Sequence, residues 1–276
     1  MPEGDTLYRI AAGLRPFLVG RTVTVATARQ PGPRAALLVG STIESVESLG
    51  KHLLIRFSGG LELRTHLGLR GSWHRYAPGE RWLRGPSRAR IVIEVPGAVA
   101  VCFDAPTVEL FETRAEPLHR TLQALGPDLL GPQFDETADT AEAVRRLRDR
   151  DGAETIAEAL LDQLALAGIG NVYKSEVLFV ERVDPFVPAA RLDDETLACL
   201  VTTARRLLVA NRDGGPRTTT AVAGEVRPTG RLWVYGRSGR PCRRCGTLIR
   251  DLRHGRHNRR TFWCPACQPS VVEPPG

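Results

Sequence analysis

Apolar residues near the start of the chain follow a helical period. Between residues 7 and 18 they recur every three or four positions, a spacing that places them on one face of an α-helix. These positions are Leu7, Ile10, Ala11, Leu14 and Leu18. Asp5 and Thr6 stand just before the pattern, and the side chain of either residue suits the N-cap of the predicted helix.

From residue 21 to residue 113 the pattern changes to short runs of β-branched and apolar residues. Glycine and proline separate these runs, which predicts a series of strands joined by turns. The clearest runs are TVTVATA, STIESVESL, HLLIRF, LELRTHL, ARIVIEV and AVAVCF. Several short strands in succession are typical of a β-sandwich or a β-barrel.

The helical period returns after the segment LGPDLLGP at residues 125–132, which we interpret as a hinge between domains. The helical stretches beyond it are AEAVRRLRD, ETIAEALLDQLALA, NVYKSEVLFVE and ETLACLVTTARRLLVAN. The stretch GGPRTTTAVAGE then predicts a mobile loop, and SVVEPPG predicts a loose tail. We therefore divide the chain into residues 1–125, 126–230, 231–270 and 271–276.

The distribution of charge favours a polyanionic partner. The chain of 276 residues is 42% hydrophobic and 25% charged, which is typical of a packed globular protein. Its net charge is +7, and the segment from Arg227 to Arg260 holds eleven arginines against a single acid, Asp251. A local positive field of this density usually binds nucleic acid, although an arginine-rich surface can also serve solubility alone.

No segment of the sequence predicts membrane insertion or export. No apolar run approaches the roughly 20 residues that a membrane-spanning helix needs. The N-terminus also lacks the basic region and the apolar region of a signal peptide. We therefore expect a cytoplasmic protein.

Lysine is almost absent, which draws attention to the two positions where it occurs. The 38 basic residues comprise 36 arginines and only Lys51 and Lys174. A lysine in such a chain is a candidate for chemistry that needs a compact ammonium group or an amine that can lose its proton. Lys51 lies in LGKHLLIRF, at a predicted turn before a strand, where it either faces a cleft or is simply solvated.

Four cysteines near the C-terminus form two C-x-x-C pairs. Cys242 and Cys245 make the first pair, and Cys264 and Cys267 make the second. This spacing predicts a zinc ribbon in which four thiolates surround one structural Zn²⁺ ion and leave no open position for catalysis. Disulfides and a redox dithiol are the alternatives. The arginines between the pairs suit a hairpin that contacts a phosphate backbone, although zinc ribbons also bind proteins.

The stretch LLDQLALAGIGNVYKSEVLF predicts two helices joined by a tight turn. The first helix is predicted to end near Ala167, residues 168–170 form the turn, and Asn171 is predicted to cap the second helix. A helix N-terminus presents backbone N–H groups and the positive end of a dipole, and glycines allow another chain to approach closely. The turn is therefore either a phosphate-binding site or a plain corner between two helices.

Four features follow one another along nearly the whole chain. They are the Pro2–Glu3 start, the Lys51 turn, the stretch DQLALAGIGNVYKSE and the ribbon VYGRSGRPCRRCGT with FWCPACQ. Together they resemble the formamidopyrimidine-DNA glycosylase and endonuclease VIII family of base-excision repair enzymes. The resemblance implies an α+β fold with an N-terminal helix on a β-sandwich domain. A helical domain with a helix–two-turn–helix motif and a zinc-ribbon β-hairpin is implied to follow.

The resemblance also implies a catalytic mechanism. In this family the initiator methionine is removed, and Pro2 becomes a nucleophile that forms a Schiff base with the sugar C1′. Glu3 is the implied general acid that protonates the opening deoxyribose. Lys51 is the implied lysine that grips the phosphate beside the lesion and assists catalysis. The implied activity is that of a bifunctional glycosylase and abasic-site lyase that cleaves the strand by β,δ-elimination.

The same resemblance assigns residues to the DNA backbone. Asn171 matches the phosphate contact of the helix–two-turn–helix motif. We place Gly170 and Lys174 beside it in the DNA-binding surface. Arg259, five residues before Cys264, matches the hairpin arginine that completes the phosphate clamp.

A wedge that fills the space left by an extruded nucleotide is also implied. The strand-end loop HLGLRG supplies it in the resemblance, and we assign the wedge to Leu69 and Arg70. An apolar side chain can replace base stacking, and a neighbouring arginine can hold the orphaned base or the backbone.

Departures from the formamidopyrimidine branch indicate the endonuclease VIII branch. The usual Asp-Pro-Arg-Arg-Phe segment is replaced by FDAPTVELF, and the wedge methionine is missing because Met1 is the only methionine. We therefore predict that oxidised pyrimidines are preferred over oxidised guanine. A second glutamate of the family is replaced by Thr6, which leaves its supporting role unfilled or passes it to Asp5.

Three other functions fit parts of the sequence. They are an oxidised-purine glycosylase, a paralogue that binds damaged DNA without excising the base, and a zinc-ribbon interaction module. The last of these leaves the Pro2–Glu3 start and the AGIGN turn unexplained. The expected partner is damaged DNA, with duplex DNA first, and not a membrane. We expect a monomer that is associated with the nucleoid when it is bound to DNA.

Overall fold

The computed structural model describes residues 2–149, 154–221, 230–256 and 258–270. The chain forms two compact units, Met1–Ala124 and Leu125–Gly276. Within the described ranges, none of the helices has both the length and the apolar character that a membrane crossing requires. Part of the predicted loop GGPRTTTAVAGE and nearly all of the predicted tail SVVEPPG lie outside the described ranges.

Two antiparallel four-stranded sheets build the first unit. The described strands are Val25–Ala28 (β1), Ile43–Leu49 (β2), His52–Phe57 (β3), Leu61–His66 (β4), Ser72–Tyr76 (β5), Ala89–Val95 (β6), Ala98–Phe103 (β7) and Thr107–Glu112 (β8). Their order is β1-β6-β7-β5 in one sheet and β2-β3-β4-β8 in the other. Helix α1 (Gly4–Leu18) precedes them, and the short helix α2 (Arg120–Gln123) follows them. Apolar side chains of both sheets and of α1 share one core, which confirms the predicted β-sandwich with an N-terminal helix.

Helix α1 packs its predicted face into this core. Ile10 is partly buried there, and the other apolar side chains of the face are at most 4% exposed. These are Leu7, Ala11, Leu14 and Leu18. Burial of one leucine side chain contributes roughly 1.5–3 kcal/mol. This face therefore holds both the helix and the N-terminus that precedes it against the sheets.

The N-cap of α1 differs from the prediction. The cap is Glu3, not Asp5 or Thr6, because Glu3 is the last residue with extended backbone (φ −129°, ψ −178°). The carbonyl of Glu3 accepts the N–H groups of Thr6 and Leu7 at 2.8 and 3.1 Å. The first helical turn therefore begins directly after the Pro2–Glu3 pair.

The described part of the second unit contains helices and one hairpin. They are Ala138–Arg148 (α3), Ile156–Ala159 (α4), Asn171–Val180 (α5), Asp194–Ala210 (α6), and the strands Arg250–His254 (β9) and Arg259–Trp263 (β10). Strands β9 and β10 pair antiparallel between the two cysteine pairs. A helical region followed by a cysteine-bearing hairpin is the predicted order.

The predicted helix ETIAEALLDQLALA is wrong over most of its length. Only Ile156–Ala159 (α4) is α-helical, and the chain then passes through a series of turns. The N–H group of Ala167 donates to the carbonyl of Pro127 at 2.9 Å, and the N–H group of Leu129 donates to Ala167 at 3.2 Å. Backbone pairing with this distant segment competes with the helix. The spacing of apolar residues, on which the prediction was based, contains no information about such pairing.

One carboxylate connects helix α5 to the segment that leads into the cysteines. Glu176 is fully buried, and its oxygens accept the backbone N–H groups of Trp233, Val234 and Tyr235 at 2.8, 2.9 and 2.8 Å. The hydroxyl of Thr219 is a fourth donor to the same carboxylate. Burial raises the pKa of Glu176, and the four hydrogen bonds act in the opposite direction. The ribbon is therefore tied to α5 through backbone groups.

Replacement of Glu176 by Gln is expected to lower the free energy of unfolding. An amide supplies one acceptor oxygen in place of two. At least one buried backbone N–H group then loses its acceptor, which costs about 1–3 kcal/mol. Urea denaturation followed by circular dichroism measures the change.

The control for this prediction is Glu142→Gln, at a partly exposed carboxylate of α3 that pairs with arginines. Its free energy of unfolding should change far less than that of Glu176→Gln, because exposed ion pairs contribute little to stability. A Glu176→Gln variant as stable as the parent chain would contradict the assigned tie.

Candidate functional site

The N-terminus places Pro2 and Glu3 directly before helix α1. Pro2 is partly buried, and Glu3 is 0% exposed. The next two residues, Gly4 and Asp5, are also buried, so the packed first turn of α1 fixes the position of the pair. A carboxyl that is withheld from bulk water in this way can serve as a proton donor.

A second carboxyl, that of Asp5, lies buried in the same turn. It accepts the guanidinium of Arg9 and the hydroxyl of Thr6, each at 3.3 Å. Thr6 stands where the resembled family has a second glutamate, and its hydroxyl is directed to Asp5. A buried carboxyl is thus present two residues from Glu3.

Lys51 lies in the two-residue turn between β2 and β3, where Gly50 takes a φ of +54° that glycine adopts without strain. The ring of His52, next in the chain, lies 5.1 Å from the ring of His66 on β4. Burial lowers the pKa of His52 to about 3, with Arg64 as the next cause. Burial also lowers the pKa of His66, with Lys51 as the next cause. Both imidazoles are therefore neutral near pH 7 and add no positive charge beside Lys51.

Sequence reasoning missed the residues that support this turn from the sheet. Arg64 is 5% exposed, and its Nε donates to Nδ1 of His52 at 3.3 Å. Its guanidinium also pairs with Glu109, which contacts Nε2 of His119 at 3.3 Å. Arg64 and Glu109 lie directly opposite each other on β4 and β8. The available signal was the alternation of charged and apolar residues in LELRTH and TVELFE.

Leu69 and Arg70 lie in the turn between β4 and β5, and both are exposed. Leu69 is 56% exposed, which is high for a leucine beside a packed sheet. Gly68 has a φ of +57°, and a Cβ atom at this position would lie 2.9 Å from Cγ of Pro106. The turn is therefore packed against the segment after β7 while it presents an apolar side chain to solvent.

In the second unit, helix α5 begins at Asn171, and its N-cap is Gly170 rather than the predicted Asn171. The Asn171 side chain contacts the hairpin instead: Nδ2 donates to the carbonyl of Arg260 at 2.7 Å. Its Oδ1 accepts the ammonium of Lys174 at 2.7 Å, and Lys174 also donates to the hydroxyl of Thr261 at 2.7 Å. These two side chains join α5 to β10.

The burial of Lys174 contradicts its predicted place in a DNA-binding surface. Lys174 is 1% exposed, and its ammonium is hydrogen-bonded within the second unit. An ammonium with these partners stabilises the contact between helix and hairpin. Asn171 and Lys174 are three residues apart, which places them on one face of a helix. That spacing was the available signal for an internal contact.

Arg259, at the start of β10, lines a cavity of about 300 Å³ in the second unit. The hairpin turn beside it is held by Glu158 of α4, whose Oε1 accepts the N–H group of Arg256 at 3.1 Å. At Gly255 (φ +74°) a Cβ atom would lie 2.2 Å from the same oxygen, so only glycine admits this carboxylate. Sequence reasoning missed Glu158, although Thr155 and Glu158 have the T-x-x-E spacing of a helix start. The Thr155 hydroxyl accepts the N–H group of Glu158 at 3.3 Å and donates to its carboxylate at 3.0 Å.

The four cysteines of the two C-x-x-C pairs come together. All four sulfur atoms lie within 4.8 Å of one another. The sulfur of Cys242 lies 3.9 Å from that of Cys267, and the sulfur of Cys245 lies 3.5 Å from that of Cys264. Four sulfurs about 2.3 Å from one tetrahedral Zn²⁺ ion are separated by about 3.8 Å. The group can therefore hold a metal ion of this kind.

Two sequence families match this chain. Residues 1–107 match the family described as "Formamidopyrimidine-DNA glycosylase N-terminal domain". Residues 125–221 match the family described as "Formamidopyrimidine-DNA glycosylase H2TH domain". The two matches divide the chain at the same place as the two compact units.

Curated relatives align with the chain over nearly its whole length. "Probable endonuclease 8 2" from Streptomyces coelicolor is 43% identical, and the alignment covers 100% of this chain and 97% of that protein. "DNA-(apurinic or apyrimidinic site) lyase Nei2" from Mycolicibacterium smegmatis is 40% identical over 97% of this chain and 99% of that protein. "Formamidopyrimidine-DNA glycosylase" from Aromatoleum aromaticum is 33% identical, and the alignment covers 97% of this chain and 99% of that protein.

A solved structure shares the fold. It is the complex between Fpg of Lactococcus lactis and DNA that contains an abasic site. The TM-score is 0.79, and the match covers 97% of this chain and 100% of that chain at 23% sequence identity.

Proposed function

Because this chain belongs to the formamidopyrimidine-DNA glycosylase and endonuclease VIII family, we propose that it is a bifunctional DNA glycosylase and abasic-site lyase of base-excision repair. The observation that carries the proposal is the start of α1, where Pro2 directly precedes the fully buried Glu3. The chain is 43% and 40% identical to relatives named endonuclease 8 2 and Nei2, against 33% for the relative named formamidopyrimidine-DNA glycosylase, which confirms the predicted branch. On that branch we propose oxidised pyrimidines in duplex DNA as the preferred substrates.

In the first step, Pro2 is the nucleophile once Met1 has been removed. Its nitrogen forms a bond to C1′ of the damaged nucleotide, and the bond between C1′ and the base breaks as the base leaves with the electron pair. The carboxyl of Glu3 gives a proton to the ring oxygen O4′, so the bond between C1′ and O4′ opens. The proton on the former amine nitrogen is lost through solvent to the departed base, and the opened sugar remains bound to Pro2 as an iminium ion. An N-terminal amine has a pKa of about 8 against about 10.4 for lysine, so more of it is neutral near pH 7.

In the second step, the iminium ion drives cleavage of the strand. It acidifies the C2′ proton, and loss of that proton breaks the C3′–O bond and releases the phosphate on the 3′ side. Loss of the C4′ proton then breaks the C5′–O bond on the 5′ side. Hydrolysis of the remaining Schiff base frees Pro2 for another cycle.

Four residues are proposed to hold the DNA backbone. Lys51, which has neutral imidazoles beside it, grips the phosphate next to the lesion and assists catalysis. Gly170 and Asn171 supply a phosphate contact through the N-terminus of α5. The Asn171 amide also fixes that helix end against β10. Arg259 completes the clamp from the hairpin.

The wedge is assigned to Leu69 and Arg70 in the exposed turn between β4 and β5. An exposed leucine on a packed turn can fill the stack after the base has been extruded. In the first turn of α1, Asp5 offers a buried carboxyl for the supporting role that Thr6 cannot fill. Since the substrate is chromosomal DNA, we place the enzyme in the cytoplasm, at the nucleoid.

Replacement of Glu3 by Gln is expected to slow base release by roughly 10²–10⁴-fold, because the amide cannot supply the proton for ring opening. Binding to a duplex with a stable abasic-site analogue should stay near the parent value. Single-turnover base release and fluorescence anisotropy measure the two quantities. Glu44→Gln, at an exposed carboxylate of β2, is the matched control and should leave both unchanged. Near-normal base release by Glu3→Gln would remove the assigned general acid.

Replacement of Arg259 by Ala is expected to weaken binding to all DNA sequences alike. One phosphate contact is lost, so the slope of log affinity against log salt should fall in magnitude by about 1. Titration at several salt concentrations with two unrelated duplexes measures this. Arg191→Ala, at an exposed arginine of the same unit, is the control. A loss confined to one sequence contradicts a phosphate contact.

The four cysteines are proposed to hold one structural Zn²⁺ ion, because four thiolates at tetrahedral spacing match this metal. Cys264→Ser is expected to lose the zinc and to weaken DNA binding, since binding of the metal stabilises the fold of the ribbon. Elemental analysis of the purified protein and anisotropy measure both. Cys199→Ser, at an exposed cysteine of α6, should keep one zinc per chain. Equal zinc content in both variants contradicts the site.

A further inference from the structure

Three separate segments of the first unit meet at one carboxylate, that of Asp104. The first segment is residues 67–71, which we call the wedge turn. The second is residues 77–88, which connect β5 to β6 and which we call the arm. The third is residues 104–106, directly after β7. None of these segments is adjacent to the others in the sequence. The N–H group of Asp104 donates to the carbonyl of Arg88 at 3.0 Å, and side chains make the other contacts at this carboxylate.

Two arginines of the arm make these contacts. Nη1 of Arg84 donates to Oδ2 of Asp104 at 2.6 Å and to the carbonyl oxygen of Arg70 at 3.1 Å. Arg88 donates to Asp104 through Nε at 3.0 Å and through Nη2 at 2.6 Å. The guanidinium of Arg84 therefore bridges Asp104 and the backbone of the wedge turn, and Arg88 holds Asp104 in place.

The arm itself is anchored on an aromatic cluster. The ring of Trp82 stacks on Tyr76 with centroids 6.1 Å apart and meets the edge of Phe103 at 5.8 Å. The N–H group of Leu83 donates to the hydroxyl of Tyr76 at 3.2 Å. Arg84 follows Leu83 in the chain, so the contacts of Trp82 and Leu83 with Tyr76 also fix the backbone from which the Arg84 side chain extends.

Backbone constraints complete the contact between the segments. Asp104 has a φ of +52°, in the left-handed region that aspartate and asparagine tolerate better than most residues. Gly68 packs so closely on Pro106 that a Cβ atom would lie 2.9 Å from its Cγ. The N–H group of Gly71 donates to the carbonyl of Leu67 at 2.8 Å and closes the wedge turn. The tip that carries Leu69 is therefore held from both sides.

Folding stability alone does not explain this arrangement. The side chains of Asp104, Arg84 and Arg88 are 21, 28 and 51% exposed, and exposed ion pairs add little to stability. The contacts instead fix the position of the wedge turn relative to Asp104 and the arm. Two arginines of the arm therefore hold the single carboxylate of Asp104, in the segment FDAPTVELF.

We propose that Asp104, acting through Arg84, is a positioning residue for base extrusion. It sets the backbone of the wedge turn so that Leu69 can enter the stack as the damaged base leaves. The inference rests on the proposed glycosylase function. The inference predicts different effects on two reactions. Release of a base from duplex DNA needs the wedge, whereas cleavage at an abasic site in a single strand has no stacked base to displace.

Asp104→Asn and Arg84→Ala test the inference. Asparagine keeps the left-handed backbone and removes the charge. Both variants should release an oxidised pyrimidine from duplex DNA about 10- to 100-fold more slowly than the parent chain, the loss expected from a misplaced group. Cleavage of a single-stranded oligonucleotide with a preformed abasic site should stay within about twofold of the parent rate. Glu112→Gln, which removes an exposed ion pair with Arg114 in the same unit, is the control.

A fluorescence measurement makes the test independent of catalysis. A 2-aminopurine base paired opposite the lesion brightens when the damaged nucleotide leaves the stack. In complexes with the Glu3→Gln background, Asp104→Asn should reduce that signal at saturating protein. An unchanged signal, or equal slowing of both reactions in a folded variant, overturns the inference. Failure of the unsubstituted chain to release any base counts against the proposed function alone, because the fluorescence result still decides the role of Asp104.

Discussion

The second unit depends on one buried carboxylate, that of Glu176. Its oxygens bind three consecutive backbone N–H groups, so the segment at Trp233–Tyr235 is attached to helix α5 regardless of its side chains. The first turn of the same helix holds strand β10 through Asn171 and Lys174. Trp233, Ile249 and Phe262 also pack against Phe179 of α5 in one small apolar cluster. The position of Arg259 therefore follows from the burial of α5.

The first unit fixes its chemistry in a comparable way. The apolar face of α1 packs into the sandwich, and this packing holds Pro2 and the buried Glu3 at the helix start. In the sheet β2-β3-β4-β8, Nε of Arg64 donates to the neutral ring of His52, which follows Lys51 in the chain. In each case a packed element fixes the group beside it: α1 holds the buried Glu3, and the turn between β2 and β3 carries Lys51. Such an arrangement suits a reaction in which a nucleophile, a proton donor and a phosphate contact must be positioned together.

The sequence predicted those parts of the molecule that local patterns encode. The period of α1 identified its buried face, the short β-branched runs identified the sandwich, and the spacing of the C-x-x-C pairs identified the cysteine cluster. It failed where a distant partner decides the outcome. The helix through Ala167 is broken by backbone pairing with Pro127, and Lys174 is buried by its contact with Thr261. Each partner lies far along the chain from the residue that it contacts, so no local repeat of apolar residues reveals the contact.

The proposed reaction depends on the N-terminal proline as its nucleophile. Borohydride reduction during reaction with a duplex that contains an abasic site identifies the nucleophile, because reduction converts the Schiff base into a stable bond. Mass spectrometry of the digested adduct then identifies the residue. We expect a single adduct, on Pro2 of a chain that has lost Met1. An adduct on Lys51, or no adduct from protein that binds the same duplex, would contradict it.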